Sequence, residues 1–238
     1  MPVIIDWPAN LRISDRSDPM LMANTRSGGI ALNGDEQIIS TGSRIWQWQM
    51  QVPIYNAGHM RALRVVLAQL DGRFGYVRTR ICDQYRISRR NMGAYPIRGS
   101  VPHSDDAYFS DGSGYDLSGG TAYPINDSSP GQSQFQIDYG PDVPMSAGIF
   151  ISIKGWLYLI TAIDDPANLD DPGTVRNIHV SPPLRSAIGS DDEILWDAAP
   201  IWRLASDGEG QAFLRVGKFG VVTINLTEPV GRDEVDAP

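Results

Sequence analysis

The chain has 238 residues, with 42% hydrophobic side chains, 24 Gly, 17 Pro, one Cys and a formal charge of −8. A chain of this length buries a substantial core in one large or two small domains, and Cys82, as the lone thiol, excludes an intramolecular disulfide. Met1 to Trp7 has neither the basic flank nor the apolar centre of a secretory signal, and no run reaches the ~20 apolar residues of a membrane helix, so a soluble chain made in the cytoplasm, with no membrane partner, is expected.

Ile4 to Ile13 is a strand candidate. Arg44 to Gln51 alternates strictly, with Trp46, Trp48 and Met50 on one face and Ile45, Gln47, Gln49 and Gln51 on the other, the pattern of a half-buried strand. Pro53 closes it, and Asn56 stands where a helix N-cap accepts a hydrogen bond from the following turn. Met60, Leu63, Leu67 and Leu70 then recur at helical spacing while Arg61, Arg64 and Gln69 point elsewhere, and Asp71-Gly72 supplies the stop. Phe74 to Ile81 returns as a strand. Residues 92–144 are dominated by Gly, Ser, Asp, Pro and Tyr, with seven aromatics from Tyr95 to Tyr139, and read as a loop-rich insertion or bridging arm. The apolar run Gly148 to Ile163, broken at Lys154-Gly155, suits two strands better than one helix. A second hairpin is expected over Ala212 to Leu226 around Gly217-Lys218, and a further strand over Thr174 to Val180.

The predicted fold is therefore mainly β with one principal helix, a sandwich or barrel rather than a parallel sheet. The composition divides the chain at 1–91, 92–144 and 145–238. Residues 1–91 hold 12 Arg, no Lys and 7 acids (+5), whereas 92–238 hold 8 basic and 21 acidic residues (−13). Such polarity suits an oriented, self-associating or lumen-lining object as readily as a nucleic-acid binder.

Motifs for chemistry are sparse. One Cys and three His (His59, His103, His179), none within helical or hairpin reach of another, do not make a zinc site, and no Gly-x-Ser-x-Gly elbow occurs. The clusters Gly28-Gly29 and Gly112 to Gly120 do not precede amphipathic helices, which disfavours a phosphate cradle. Asp111 to Asp116 looks like a calcium loop but lacks its spacing and terminal Glu, and reads as a solvated turn. Asp164-Asp165, Asp170-Asp171 and Asp191-Asp192-Glu193 lie in apparent loops. No cofactor, metal or catalytic residue is assigned, and the chain is not expected to be an enzyme.

Three local patterns carry a family resemblance: Trp46-Gln47-Trp48 running into Val52-Pro53, the helix ending Ala68-Gln69-Leu70-Asp71-Gly72, and Gly155-Trp156-Leu157-Tyr158 followed by Val180-Ser181-Pro182-Pro183-Leu184-Arg185. Their order, over about residues 40–190, resembles distal tail and minor tail proteins of long-tailed (siphovirus-type) bacteriophages. The resemblance implies a tail-tube-like β-domain with one flanking helix, a second β-rich domain, and assembly as a homo-oligomeric ring, generally a hexamer, joining the tail tube protein to the tip or hub proteins. DNA would pass through it in transit, and the protein would reside in the virion tail. Arg78, Arg80, Arg86 and Arg89 are then candidates for intersubunit or lumen contacts, and an acidic lumen would let DNA slide without counterion-release binding. The alternative is a carbohydrate-binding or carbohydrate-cleaving module, with Tyr108 and Tyr115 among the rings that would meet sugar faces.

Overall fold

The structure is a computed structural model that describes residues 3–30, 32–81, 83, 121–138, 145–164, 175–211 and 220–231. It is mainly β, with one helix among the described residues, and divides into two compact units. The first unit takes Met1–Thr79 together with Ile201–Val235, and the second takes Arg80–Pro200. The chain leaves the first unit after residue 79 and returns to it at residue 201. No described helix is long and apolar enough to cross a membrane.

The first unit is a seven-stranded sheet with a helix. Its strands are β1 (Ile4–Asp6), β2 (Asp15–Arg16), β3 (Met20–Ile30), β4 (Glu36–Ile54), β5 (Tyr76–Arg78), β12 (Ile201–Leu204) and β13 (Gly220–Thr227), and its helix is α1 (Ala57–Leu70). The spatial order is β1-β5-β12-β13-β4-β2, with β3 also paired to β4; only β1 and β5 run parallel. The expected alternation is realised in the C-terminal half of β4, where Trp46, Trp48, Met50, Val52 and Ile54 are all buried and Gln47 and Gln49 are exposed. Opposite them β13 buries Leu226 beside Trp48, Ile224 beside Met50 and Val222 beside Val52. Full burial of each aliphatic chain contributes about 1.5–3 kcal/mol, so this two-strand seam is the backbone of the core. Trp202 from β12 completes it, its ring centroid 5.6 Å from that of Trp48.

Helix α1 begins as the sequence predicts: the Asn56 side chain accepts from His59 N at 2.9 Å, leaving His59's donor satisfied at the first turn. It ends at Asp71, whose φ of 47° reverses the chain with Gly72 at 64°. The buried stripe is Leu63, Val66 and Leu70, while Met60 and Leu67 lie at its half-buried margins. Leu67 meets Gly210, where a Cβ would lie 2.7 Å from a Leu67 methyl and where φ is +80°, so only glycine fits under the helix there.

The second unit is a closed antiparallel barrel in the order β10-β7-β6-β11-β8-β9, formed by β6 (Thr121–Pro124), β7 (Gln134–Asp138), β8 (Phe150–Ile153), β9 (Trp156–Ile163), β10 (Val175–Ser181) and β11 (Ile194–Leu195). Closure pairs every strand on both sides and leaves no edge. The expected hairpin forms about Lys154-Gly155, both at positive φ (50° and 71°), the conformation of a two-residue type I′ turn. Ile137, Ile151, Ile153, Tyr158, Ile160, Ile178 and Trp196 fill the interior. The Tyr158 hydroxyl accepts from Arg185 N at 2.9 Å, which gives the buried ring a polar partner. The expected hairpin over Ala212 to Leu226 has its turn outside the described residues; its second arm is β13.

Candidate functional site

The feature of the first unit that its own core does not explain is the distal part of the β3–β4 hairpin. From Gln47 onward β4 lies between strands, but from Glu36 to Ile45 it pairs with β3 alone among the described residues. The ladder runs from Met20 opposite Gln47 to Ile30 opposite Glu36, with register shifts between Ala23 and Thr25 and between Ser27 and Ile30. At ~3.3 Å per residue, the nine steps from Ile45 to Glu36 reach about 30 Å. Asn33 shapes the tip, its Oδ1 accepting from Asp35 N at 3.2 Å.

Almost every described side chain of this arm is exposed, and the exposed set includes large apolar groups: Ile30 at 76%, Ile38 at 62% and Ile39 at 54%, with Leu32 fully exposed at the tip. Ile38 stands opposite Ser27 and Ile39 opposite Arg26, so successive residues put apolar surface on both faces of the ribbon. A two-stranded ribbon with no third strand is marginally stable in water, and a long ribbon with open edges is a template for pairing with another chain.

At the root of the arm the sheet's outward face is different. Gln47, Gln49 and Gln51 of β4 stand opposite Thr227, Asn225 and Thr223 of β13, two adjoining columns of uncharged amides and hydroxyls. Gln49 donates to Asn225 Oδ1 at 3.0 Å, and Asn225 donates to Glu209 Oε2 at 3.1 Å.

Among the described residues of the second unit, a polar cluster lies on β7, β9 and β10. His179 Nε2 lies 2.9 Å from Asp164 Oδ1, and the Gln134 amide nitrogen sits against the same imidazole, 2.8 Å from Nε2 and 3.0 Å from Nδ1. Asn177 donates to the other Asp164 oxygen. The Asn177 amide, and after it the His179 imidazole, hold the Asp164 carboxyl below the usual carboxylate range. Each group is spent on its neighbours across the strands, so the cluster ties the end of β9 to β10. Among the described residues no three His, Cys, Asp or Glu side chains group as a metal ion would need.

The residues singled out from sequence are not brought together. Arg78 lies 3.8 Å from Asp6 across β5 and β1, and Arg80 lies 3.2 Å from Asp197, so both have carboxylate partners within the chain. Arg86, Arg89, Tyr108 and Tyr115 lie outside the described residues, as do Cys82, His103 and the loop Asp111 to Asp116. Sequence reasoning passed over the arm because its residues show neither a sustained alternation nor a chemical motif. The available signal was Asn33-Gly34 between two segments bearing Ile and Met. No protein-family model matches this sequence, and no curated protein matches it.

Proposed function

We propose that this chain is a structural component of a bacteriophage tail, assembling with copies of itself into a closed ring that joins tube to tip around a channel for DNA. The observation that carries the reading is the arm: a ribbon about 30 Å long with apolar residues on both faces and no third strand among the described residues, a surface that a second chain would cover. Open strand edges and exposed Ile and Leu favour a protein partner over a small ligand, and identical copies supply one at fixed stoichiometry. The resemblance of its motif order to that of distal tail proteins supports a ring as the form of that assembly.

The uncharged face of β4 and β13 supports the channel. A wall of amides and hydroxyls neutralises no phosphates, so it releases no counterions and does not hold DNA in place. In this reading the work is geometric, and the neighbours are the tube protein above and the hub proteins below.

The test replaces the arm between Ala23 and Arg44, which are partners in the ladder, by Asn-Gly, a two-residue turn suited to that junction. Light scattering and negative-stain imaging then compare the two proteins. The intact chain is expected to form rings with a central hole, and the shortened one to remain monomeric with an unchanged near-ultraviolet spectrum. An intact chain that stays monomeric at high concentration overturns the proposal.

A further inference from the structure

The outward face of α1 carries a charge pattern that the fold does not use. Ala57, Arg61, Arg64 and Ala68 recur at spacings of four, three and four, so they form one stripe, opposite the buried Leu63, Val66 and Leu70. All four are exposed, and Val65 beside them is exposed as well. From Ala57 to Leu70 there is no acidic residue, whereas solvated helices ordinarily interleave both signs at i, i+4. Neither guanidinium has an ion-pair partner among the described residues. The flanking alanines leave both forks accessible to an approaching backbone. Arginine at both positions, rather than lysine, presents a planar fork that takes a carboxylate in two parallel hydrogen bonds.

The complementary charge lies on the other unit. Residues 1–79 and 201–235 hold 12 basic and 11 acidic side chains, or +1, whereas residues 80–200 hold 8 basic and 16 acidic, or −8. Within the described part of that unit, three consecutive acids occupy the turn 189–193. Asp192 is turned inward, accepting from Gly189 N at 2.7 Å and lying 3.0 Å from Lys154 Nζ, which fixes the turn. Asp191 and Glu193, on either side, are exposed. The exposed acids of a pinned turn match in charge the two exposed guanidiniums of the helix.

We propose that the Arg61–Arg64 stripe of one copy seats the acidic turn 189–193 of a second copy. The inference rests on the self-assembly proposed above and adds which surfaces meet. The contact joins unlike patches, so each copy offers a helix to one neighbour and a turn to the other. Such an interface propagates in one sense and closes into a ring when its rotation permits. Duplex DNA is the weaker match, since two guanidiniums neutralise too few phosphates for appreciable binding at physiological salt.

The test uses the full chain in three forms: unaltered, R61E/R64E, and D191R/E193R. All the altered positions are exposed, and circular dichroism verifies that each variant is folded. Sedimentation at low and high salt is expected to show self-association of the unaltered chain that weakens with salt. Each double reversal is expected to raise the concentration needed for assembly by about tenfold or more, and an equimolar mixture of the two reversed chains is expected to restore it. If the unaltered chain assembles and R61E/R64E assembles equally well with the same salt dependence, this inference is overturned while the ring reading stands. If the unaltered chain does not associate at all, both fall. Duplex DNA bound by the unaltered chain and lost in R61A/R64A, with assembly unchanged, would assign the stripe to a polyanion and overturn the inference.

Discussion

Replacing Glu228 by Ala removes an acceptor at the point where β4 leaves the sheet and becomes the arm. The β4–β13 ladder ends with Thr227 opposite Gln47. One step beyond, Glu228 N donates to Trp46 O at 2.9 Å, and Glu228 Oε2 accepts from Trp46 N at 3.2 Å, in a site where the glutamate is 3% exposed. Truncation leaves that buried amide without this acceptor, at a cost of about 1–3 kcal/mol, and loses one buried methylene, worth roughly 0.8 kcal/mol. A total near 3 kcal/mol, divided by a urea dependence of about 2 kcal/mol per molar, lowers the midpoint by about 1.5 M. Urea unfolding followed by near-ultraviolet circular dichroism measures this, and hydrogen exchange at the Trp46 amide localises it. Glu228→Gln keeps an acceptor of the same reach, so it is expected to lose less than half as much. Equal losses in the two variants, or unchanged exchange at Trp46 in Glu228→Ala, would show that the hydrogen bond is not what holds the arm's root.

Asn56→Ala removes the acceptor for His59 N and is expected to cost about 1 kcal/mol in thermal or urea unfolding, with Asn56→Ser recovering most of it. Asp164 has its carboxyl held below the ordinary range by Asn177 and His179. A depressed carboxylate contributes stability that is present above the unfolded-state value, about pH 4, and is lost as pH falls through the lower folded-state value. The stability difference between the unaltered protein and Asp164→Asn is therefore expected to be present at about pH 6 and to shrink on acidification below about pH 4. A difference independent of pH would exclude the carboxylate as its source.

The parts of the fold that were legible in the sequence are those where one face is buried by local neighbours. Trp46, Trp48 and Met50 alternate because the sheet has one dry side, and Asn56 and Asp71-Gly72 bracket α1 because helix termini have their own chemistry. Val66 was missed in favour of Met60 and Leu67 because the buried stripe turns slightly from the one those residues trace. The assignment of β13 to the first unit was not legible, since pairing Leu226 with Trp48 joins residues far apart in the chain and leaves no local pattern. The arm was opaque for a different reason. A strand with no dry face has no alternation to display, so residues 20–43 carry no pattern of the kind that marks Trp46, Trp48 and Met50. Of the arginines named as candidates for intersubunit or lumen contacts, Arg78 and Arg80 each have an acid of the same unit beside them, Asp6 and Asp197, a pairing that joins residues far apart in the chain and so leaves no local signal.

The two surfaces proposed for assembly would hold a partner in different ways. Arg61 and Arg64 ride on a helix whose other face is locked into the core by Leu63, Val66 and Leu70, so their positions are set before any partner arrives. Contacts of that kind act over distance and fall with salt, and they govern encounter and register. The arm is the opposite case. Its root is fixed by Trp46, Leu21 and Glu228, but toward the tip the exposure of its apolar residues rises through Ile39, Ile38 and Ile30 to the fully exposed Leu32. Stability within a protein is lowest where buried contacts are fewest, so the tip has the least of its own. Apolar burial there repays the ordering of the ribbon only once a second chain covers it, and that contribution is insensitive to salt. On the proposed assembly, association is therefore expected to be fastest at low salt and to weaken without vanishing as salt rises, because the helix charges are screened and the apolar residues of the arm are not.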